Sequence, residues 1–206
     1  MSGEIQLNGT SFASESGGTI TVNNGTLSSN VVFPAGPSVS GQVSGGHILQ
    51  VQSTILTGSI SDNSTATFTD LTGLLVKITP SSTSSKVLLN YNFTVGQSGD
   101  NNPKFFRIKR TISAVDNTSF AVGASSGNRT QATSVSFDTG ADVNGQNQHS
   151  FSFVDQPSAN TEITYQLQLI HNISPFTGHT VYIGEGGNNQ AYNQTSPITF
   201  IAMEIA

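Results

Sequence analysis

The sequence predicts an all-β protein, an antiparallel jelly-roll-like β-sandwich preceded by an extended N-terminal arm. Three observations carry that expectation. From His47 onward, apolar residues recur at every second position and no stripe of helical period appears. Apolar residues make up 34% of the 206-residue chain and charged residues only 9%, the balance being largely Ser, Thr, Asn, Gln and Gly. Such a composition avoids helix formers and suits strands joined by polar turns. Turn-forming clusters also interrupt the alternation at the short spacings of a sandwich.

Residues 1–45 read as an anchoring arm and connector. "SESGGTITVNNGTLSSN" holds one short strand-turn signal, and "FPAGPSVSGQVSGG" is a Gly/Pro/Ser-rich linker with little to bury. Residues 46–206 read as the sandwich domain, beginning with a strand near 47–57. In "LLVKIT", Leu74, Val76 and Ile78 share one face while Leu75, Lys77 and Thr79 take the other. The cluster from Thr79 to Leu88, with Pro80 fixing φ and hydroxyls serving exposed backbone groups, reads as a hairpin-like connection. "KVLLNYNFTV" then sets Val87, Leu89, Tyr91, Phe93 and Val95 inward. Further strands are expected near 104–113, 118–123, 133–137 and 149–154. "TEITYQLQLI" places Ile163, Tyr165, Leu167 and Leu169 against a wet face of Thr164, Gln166 and Gln168, and segments near 179–184 and 197–205 complete the set.

Charge and special residues narrow the function classes. A net charge of -5 and a pI near 5.1 are the reverse of what a nucleic-acid-coating protein carries, so no nucleic-acid partner is expected. The chain has no cysteine, which excludes disulfides, thiolate metal sites and thiol nucleophiles. No apolar run approaches the roughly 18 residues of a membrane span, and "MSGEIQLNGT" lacks the features of a secretion signal. A soluble protein made in a cytoplasm, with no membrane partner, is the expectation. Eight Asn-x-Ser/Thr triplets occur, as chance allows in so Asn-, Ser- and Thr-rich a chain, and they carry no weight.

Four of the seven cationic side chains, Lys104, Arg107, Lys109 and Arg110, sit within "NPKFFRIKR". On a strand, Phe106, Ile108 and Ile112 share a face with Arg110, while Phe105, Arg107 and Lys109 share the other. One reading is contact with a polyanion or an acidic capsid patch. The favoured reading is a charged interface in which these cations meet carboxylates, Asp116, Asp138, Asp155 or Glu162 among them, within a trimer or its mount. Asp138, Asp142 and Asn144 offer oxygen donors for calcium, but the spacing of a calcium loop is missing and a plain Asx-rich loop is expected. His171, His179 and Glu185 could meet across a hairpin as a metal site, although isolated histidines are the commoner outcome. No metal or cofactor is expected. Tyr182, Asn189 and Tyr192, in and beside the Gly/Asn-rich "GEGGNNQAYNQTS", are the candidates for binding a ligand such as a glycan, against a plain apical loop. No nucleophile beside a base and no close pair of carboxylates is evident, so a non-enzymatic protein is expected.

"DLTGLLVKITPSSTSSKVLLNYNF", "FFRIKR", "SFSFVDQPSANTEITYQLQL" and a closing "ITFIAMEIA" follow one another in an order seen in a group of tailed-phage proteins. From roughly residue 47 to its C-terminus the sequence resembles virion fibre-like or decoration-like jelly-roll proteins common in phages of marine bacteria. Members pair "ITPSSTSSK" with a "DSPxTTxxxTYKVQ"-like segment and a terminal "MEI". The chain departs at Gln156, where Ser is usual, and at Gln166, where Lys is common. The resemblance implies a non-enzymatic virion component, assembled in the host bacterial cytoplasm, with a jelly-roll head, often trimeric, and no catalytic residues. Fibre or capsid-decoration protein is the first reading. The alternative is a receptor-binding, host-glycan-recognising tail-fibre tip.

Overall fold

The computed structural model describes the backbone of residues 3–7, 10–16 and 19–22, together with residues 47–63, 67–98, 103–137, 146–173, 177–187, 189–191 and 193–206. The chain divides into two compact units, Met1–Gln42 and Val43–Ala206. In the first, β1 (Gly3–Leu7), β2 (Thr10–Ser16) and β3 (Thr19–Val22) form an antiparallel sheet in that order. These three strands correct the expected extended arm with its single strand-turn signal. In the sequence, Asn8-Gly9 and Gly17-Gly18, dipeptides of the kind favoured in two-residue hairpins, fall between these strands.

The second unit holds β4 (Ile48–Leu56), β5 (Ile60–Asp62), β6 (Thr69–Ile78), β7 (Lys86–Gln97), β8 (Lys104–Ile112) and β9 (Val115–Asn117). It continues with β10 (Ser134–Ser136), β11 (Gln146–Asp155), β12 (Ile163–Ile170), β13 (Val181–Ile183) and β14 (Ile198–Ile205). One sheet runs β10-β8-β12-β6, with β9 paired to β8. In the other, β7 pairs with β11 along one edge and with β14, then β13, along the opposite edge, while β4 flanks β14 and β5 flanks β13. Keeping β10 as the edge of its sheet, setting aside the other three-residue strands β5, β9 and β13, and taking the remaining eight in chain order as first to eighth, the sheets read 1-8-3-6 and 2-7-4-5. Nearly every connection passes from one sheet to the other, and the result is the jelly-roll sandwich that the alternation led us to expect.

The core lies between the sheets. Leu74, Val76 and Ile78 of β6, Val87 to Val95 at alternate positions of β7, and Ile163, Tyr165, Leu167 and Leu169 of β12 are all buried, as their period of two requires. Phe200 and Ala202 of β14 and Phe106 and Ile108 of β8 close the same cluster.

Three local expectations need correction. The segment from Thr79 to Leu88 joins β6 and β7, which lie in different sheets, so it is a corner and not a hairpin. Glu204 of β14 holds it: its carboxylate accepts from the Ser81 backbone N–H at 2.7 Å and hydroxyl at 2.6 Å, and from Gln50 Nε2 at 2.6 Å. No strand occupies 118–123. Ser113 and Ala114 adopt φ of 50° and 63°, the chain reverses into β9, and the Ser119 backbone N–H donating to Asn117 Oδ1 turns it again, although Phe120 still packs on the core. Gln166 and Gln168 are buried, not wet. The β6–β12 register shifts between Gln166 and Gln168, Gly73 sits at φ 84°, and the Gln166 amide donates to the Leu71 and Leu74 carbonyls that the bulge turns toward it.

Candidate functional site

Strand β8 is an inner strand of its sheet, and its alternation sends Lys104, Phe106 and Ile108 into the sandwich. Arg110 follows on the same face, its guanidinium bridging the sheets to β11, where Nη1 donates to both oxygens of Asp155 at 2.7 and 2.8 Å. The Tyr165 hydroxyl of β12 donates to the same carboxylate at 2.8 Å, and the Arg110 guanidinium lies 5.0 Å from the Phe120 ring centroid. Burial first, and the Asp155 carboxylate second, push the Tyr165 phenol far above its ordinary value, so it stays a donor. Lys104 is wholly buried and donates to Gln97 Oε1 at 2.5 Å.

On the outer face, Lys109 Nζ is 2.6 Å from Asp70 and 3.8 Å from Asp116. Arg107 Nε donates to Gln168 Oε1 at 2.7 Å, and its guanidinium lies 3.8 Å from the Phe68 ring centroid. Asp155 and Asp116 therefore meet these cations, Glu162 pairs with Lys77 instead at 2.8 Å, and Asp138 lies outside the described residues. Asp70, Gln168 and Tyr165 were missed as partners. Only the cross-strand register, which sequence does not display, brings Gln168 opposite Arg107 and Tyr165 opposite Arg110.

At the end of the sandwich where β7 finishes, Tyr182 and residues 185–187, 189–190 and 193–195 line a hollow of about 290 Å³. Gly184, at φ 90°, begins the loop by donating its N–H to Thr94 O. The loop's two arms pair through the Glu185–Thr195 bridge, Gly186 N to Gln194 O at 3.2 Å and Ser196 N to Gly184 O at 2.8 Å. Asn193 N to Gln190 O at 2.9 Å folds the tip, and the Thr94 and Ser196 hydroxyls lie 2.6 Å apart across the base. The close seat on β7 depends on Gly96, where a Cβ would fall 2.6 Å from Glu185 O and 2.8 Å from the Gly186 carbonyl carbon. So many backbone bonds make the hollow a preformed cup.

Tyr182 and Asn189 both line it, with Glu185, Gln190, Asn193 and Gln194 beside them; Tyr192 lies outside the described residues. Tyr182 and Asn189 were expected here as ligand-binding residues and Glu185 only as a metal ligand; Gln190, Asn193 and Gln194 were not named, although the density of carboxamides around Gly184, Gly186 and Gly187 signals them. Glu185 is the charged member of this lining among the described residues, and it has no second carboxylate or imidazole beside it there. Carboxamides, a carboxylate and a phenol are hydrogen-bonding groups for a neutral, hydroxyl-rich ligand.

The remaining candidates separate. His171 Nε2 lies 2.7 Å from Asp62 Oδ1, and burial lowers its pKa despite that carboxylate. His179 is held at its backbone by the Asn172 side chain, and Glu185 belongs to the hollow, so these three do not gather as a metal site; among the described residues no group of three such ligands forms. Asp138, Asp142 and Asn144 lie outside the described residues.

The fold and the hollow define a jelly-roll β-sandwich domain with a cupped loop end. No protein-family model matches the chain, and no curated protein matches it in sequence. Among solved structures it is similar to "Structure of infectious bursal disease virus Gt strain", with 10% identity and a TM-score of 0.39, over 89% of this chain and 44% of that one. The chain thus spans less than half the length of that viral chain, and a likeness so distant bears on neither site nor activity.

Proposed function

We propose that this chain is a non-enzymatic structural protein of a tailed-phage virion, a surface-exposed fibre or capsid-decoration protein mounted through residues 1–45 and working as a homotrimer. The observation that carries the reading is the use of charge. The cations of β8 and the carboxylates of Asp70, Asp116, Asp155 and Glu204 tie strands, sheets and a corner of the sandwich together, and none of them lines the hollow. Charge used in holding the fold together is consistent with a structural role, and the resemblance in sequence to fibre-like and decoration-like proteins supports the virion reading. The partners are then further copies of the chain and other virion proteins.

The test compares the full chain with a version starting at Gly46 for binding to particles assembled without this protein. Binding by the full chain alone is expected. A full chain that ignores such particles overturns the reading. The cup favours a second reading, recognition of a host-surface glycan at the loop end, through Tyr182, Asn189 and the neighbouring carboxamides.

A further inference from the structure

The outer face of the sheet formed by β4, β14, β7 and β11 carries eight apolar side chains among its fifteen aligned positions, where solvent should favour polar residues. The pairing register aligns Val51, Met203, Leu88 and Val154 in one row across all four strands. The adjoining rows add Ile55 beside Thr199, Ile201 beside Ser53, and Ile48 beside Ile205. Val51 is 54% exposed, Ile55 61%, Ile48 57% and Val154 50%. Buried faces of this domain already have their core, so these side chains are surplus to it. With strands about 4.8 Å apart and rows about 6.8 Å apart, four strands by four rows cover on the order of 500 Å². With seven of the aligned positions polar, the apolar part is on the order of 250 Å², while the whole face is more than half of the ~800 Å² each partner contributes to a standard interface.

We infer that this face is where copies of the chain pack against one another. Its chemistry selects that occupant. Lys86, at one corner, is the charged residue among these rows, so a chain of net charge -5 meets a copy of itself here without facing like charges. The polar members, Ser53, Thr199, Asn90, Asn92, Ser150 and Ser152, both donate and accept, so a neighbouring copy in the trimer can pair with them whichever of its polar groups it brings. An anionic membrane or polyanion would find one lysine. The inference rests on the oligomeric part of the proposed function and locates it.

The test uses the full chain. Val51 is already half in solvent, so Val51→Asp leaves the single chain folded while placing a carboxylate in the packed face. Native mass across a dilution series should show the unsubstituted chain assembled and the variant weaker by about 10²-fold or more. Because the chain has no cysteine, Ser53→Cys supplies a second measurement: a short thiol-reactive cross-linker should join its copies, and should not join copies of Ser126→Cys on a distant exposed loop. An assembled chain whose mass ignores Val51→Asp and whose Ser53→Cys copies join no faster than the control overturns the inference and leaves oligomerisation standing. A chain that is monomeric throughout overturns both, while the particle-binding test still decides the virion reading.

Discussion

Strand β8 and the loop between β13 and β14 contain the polar side chains that stand out most in this sequence, and the fold uses them in opposite ways. The cations of β8 are drawn inward or sideways onto partners of the same chain: Arg110 on Asp155, Lys104 on Gln97, Lys109 on Asp70, Arg107 on Gln168 and Phe68. The carboxamides of the loop surround a hollow of about 290 Å³ at the end of the domain. Full charges are expensive to bury without a partner and are therefore placed where the fold supplies one. Neutral amides cost less to leave facing a solvent-filled cup. Conspicuous charge in a strand is here a sign of architecture.

The largest effect that could break this contrast is on the Arg110–Asp155–Tyr165 clamp. Arg110→Ala leaves the Asp155 carboxylate, 5% exposed at its side chain, with the Tyr165 hydroxyl as its remaining partner. A loss of about 3–5 kcal/mol in urea unfolding is expected. Replacing both ends, Arg110→Met with Asp155→Leu, should recover most of it, because no buried charge is then left alone. If Arg110→Ala unfolds as readily as the unsubstituted chain, β8 is not the internal brace described above.

Gly96→Ala comes next. Its new Cβ would fall 2.6 Å from Glu185 O, against backbone that cannot rotate away, so the loop must lift from β7. About 1–3 kcal/mol of destabilisation is expected, with the loop's amide resonances displaced and those of β8 unchanged. Equal disturbance at both places would mean that the two regions are not separable.

Acid should then loosen the fold in two windows. Burial of Glu204 works against its charge, but the Ser81 hydroxyl, Gln50, Ser85 and the Ser81 backbone N–H outweigh it and hold the pKa at about 2. His171 is lowered below its ordinary 6.5, burial being the leading cause. A group whose pKa is lowered by folding binds its proton more readily in the unfolded chain, so protonation favours unfolding in both cases. The His171 contribution is complete above about pH 6.5 and fades as pH falls through its lowered value; that of Glu204 is complete above about 4.5 and fades toward 2. Glu204→Gln should remove the lower window and cost about 1–3 kcal/mol at neutral pH, since the corner hydrogen bonds are weakened. Stability that is flat from pH 7 to 3 would sink this account.

How much of this was legible in the sequence follows from what alternation encodes. A period of two states which side chains of a strand share a face, and it placed Val87 to Val95, Leu74 to Ile78 and Ile163 to Leu169 correctly in the core. It does not state which sheet a strand joins, so the Thr79–Leu88 corner resembled a hairpin, nor where a bulge will turn carbonyls toward Gln166. Phe120 and Ala121 are packed on the core without being in a strand, and so imitated one at 118–123. The site was legible as a Gly/Asn-rich stretch with Tyr182 and Asn189, but the cup itself arises from Gly96, some ninety residues earlier in the chain, and from pairing between the loop's own arms. Partners far apart in sequence leave no local trace.

The smallest structural effect sharpens the comparison most. Asn189 is exposed at the lip of the cup and Tyr182 is half-buried in its wall. Surface truncations away from caps and networks change stability by no more than about 0.5 kcal/mol, so Asn189→Ala should melt like the unsubstituted chain. Tyr182→Phe keeps the ring and removes only the hydroxyl. If the loop end recognises neutral sugars, both variants should lose binding to a host polysaccharide that the full chain retains, while Lys109→Ala, on the braced strand, loses some stability and no binding. The opposite pattern, binding abolished by Lys109→Ala and untouched by Asn189→Ala, would reverse the roles assigned to the two regions and return the cations of β8 to the surface chemistry that their clustering first suggests.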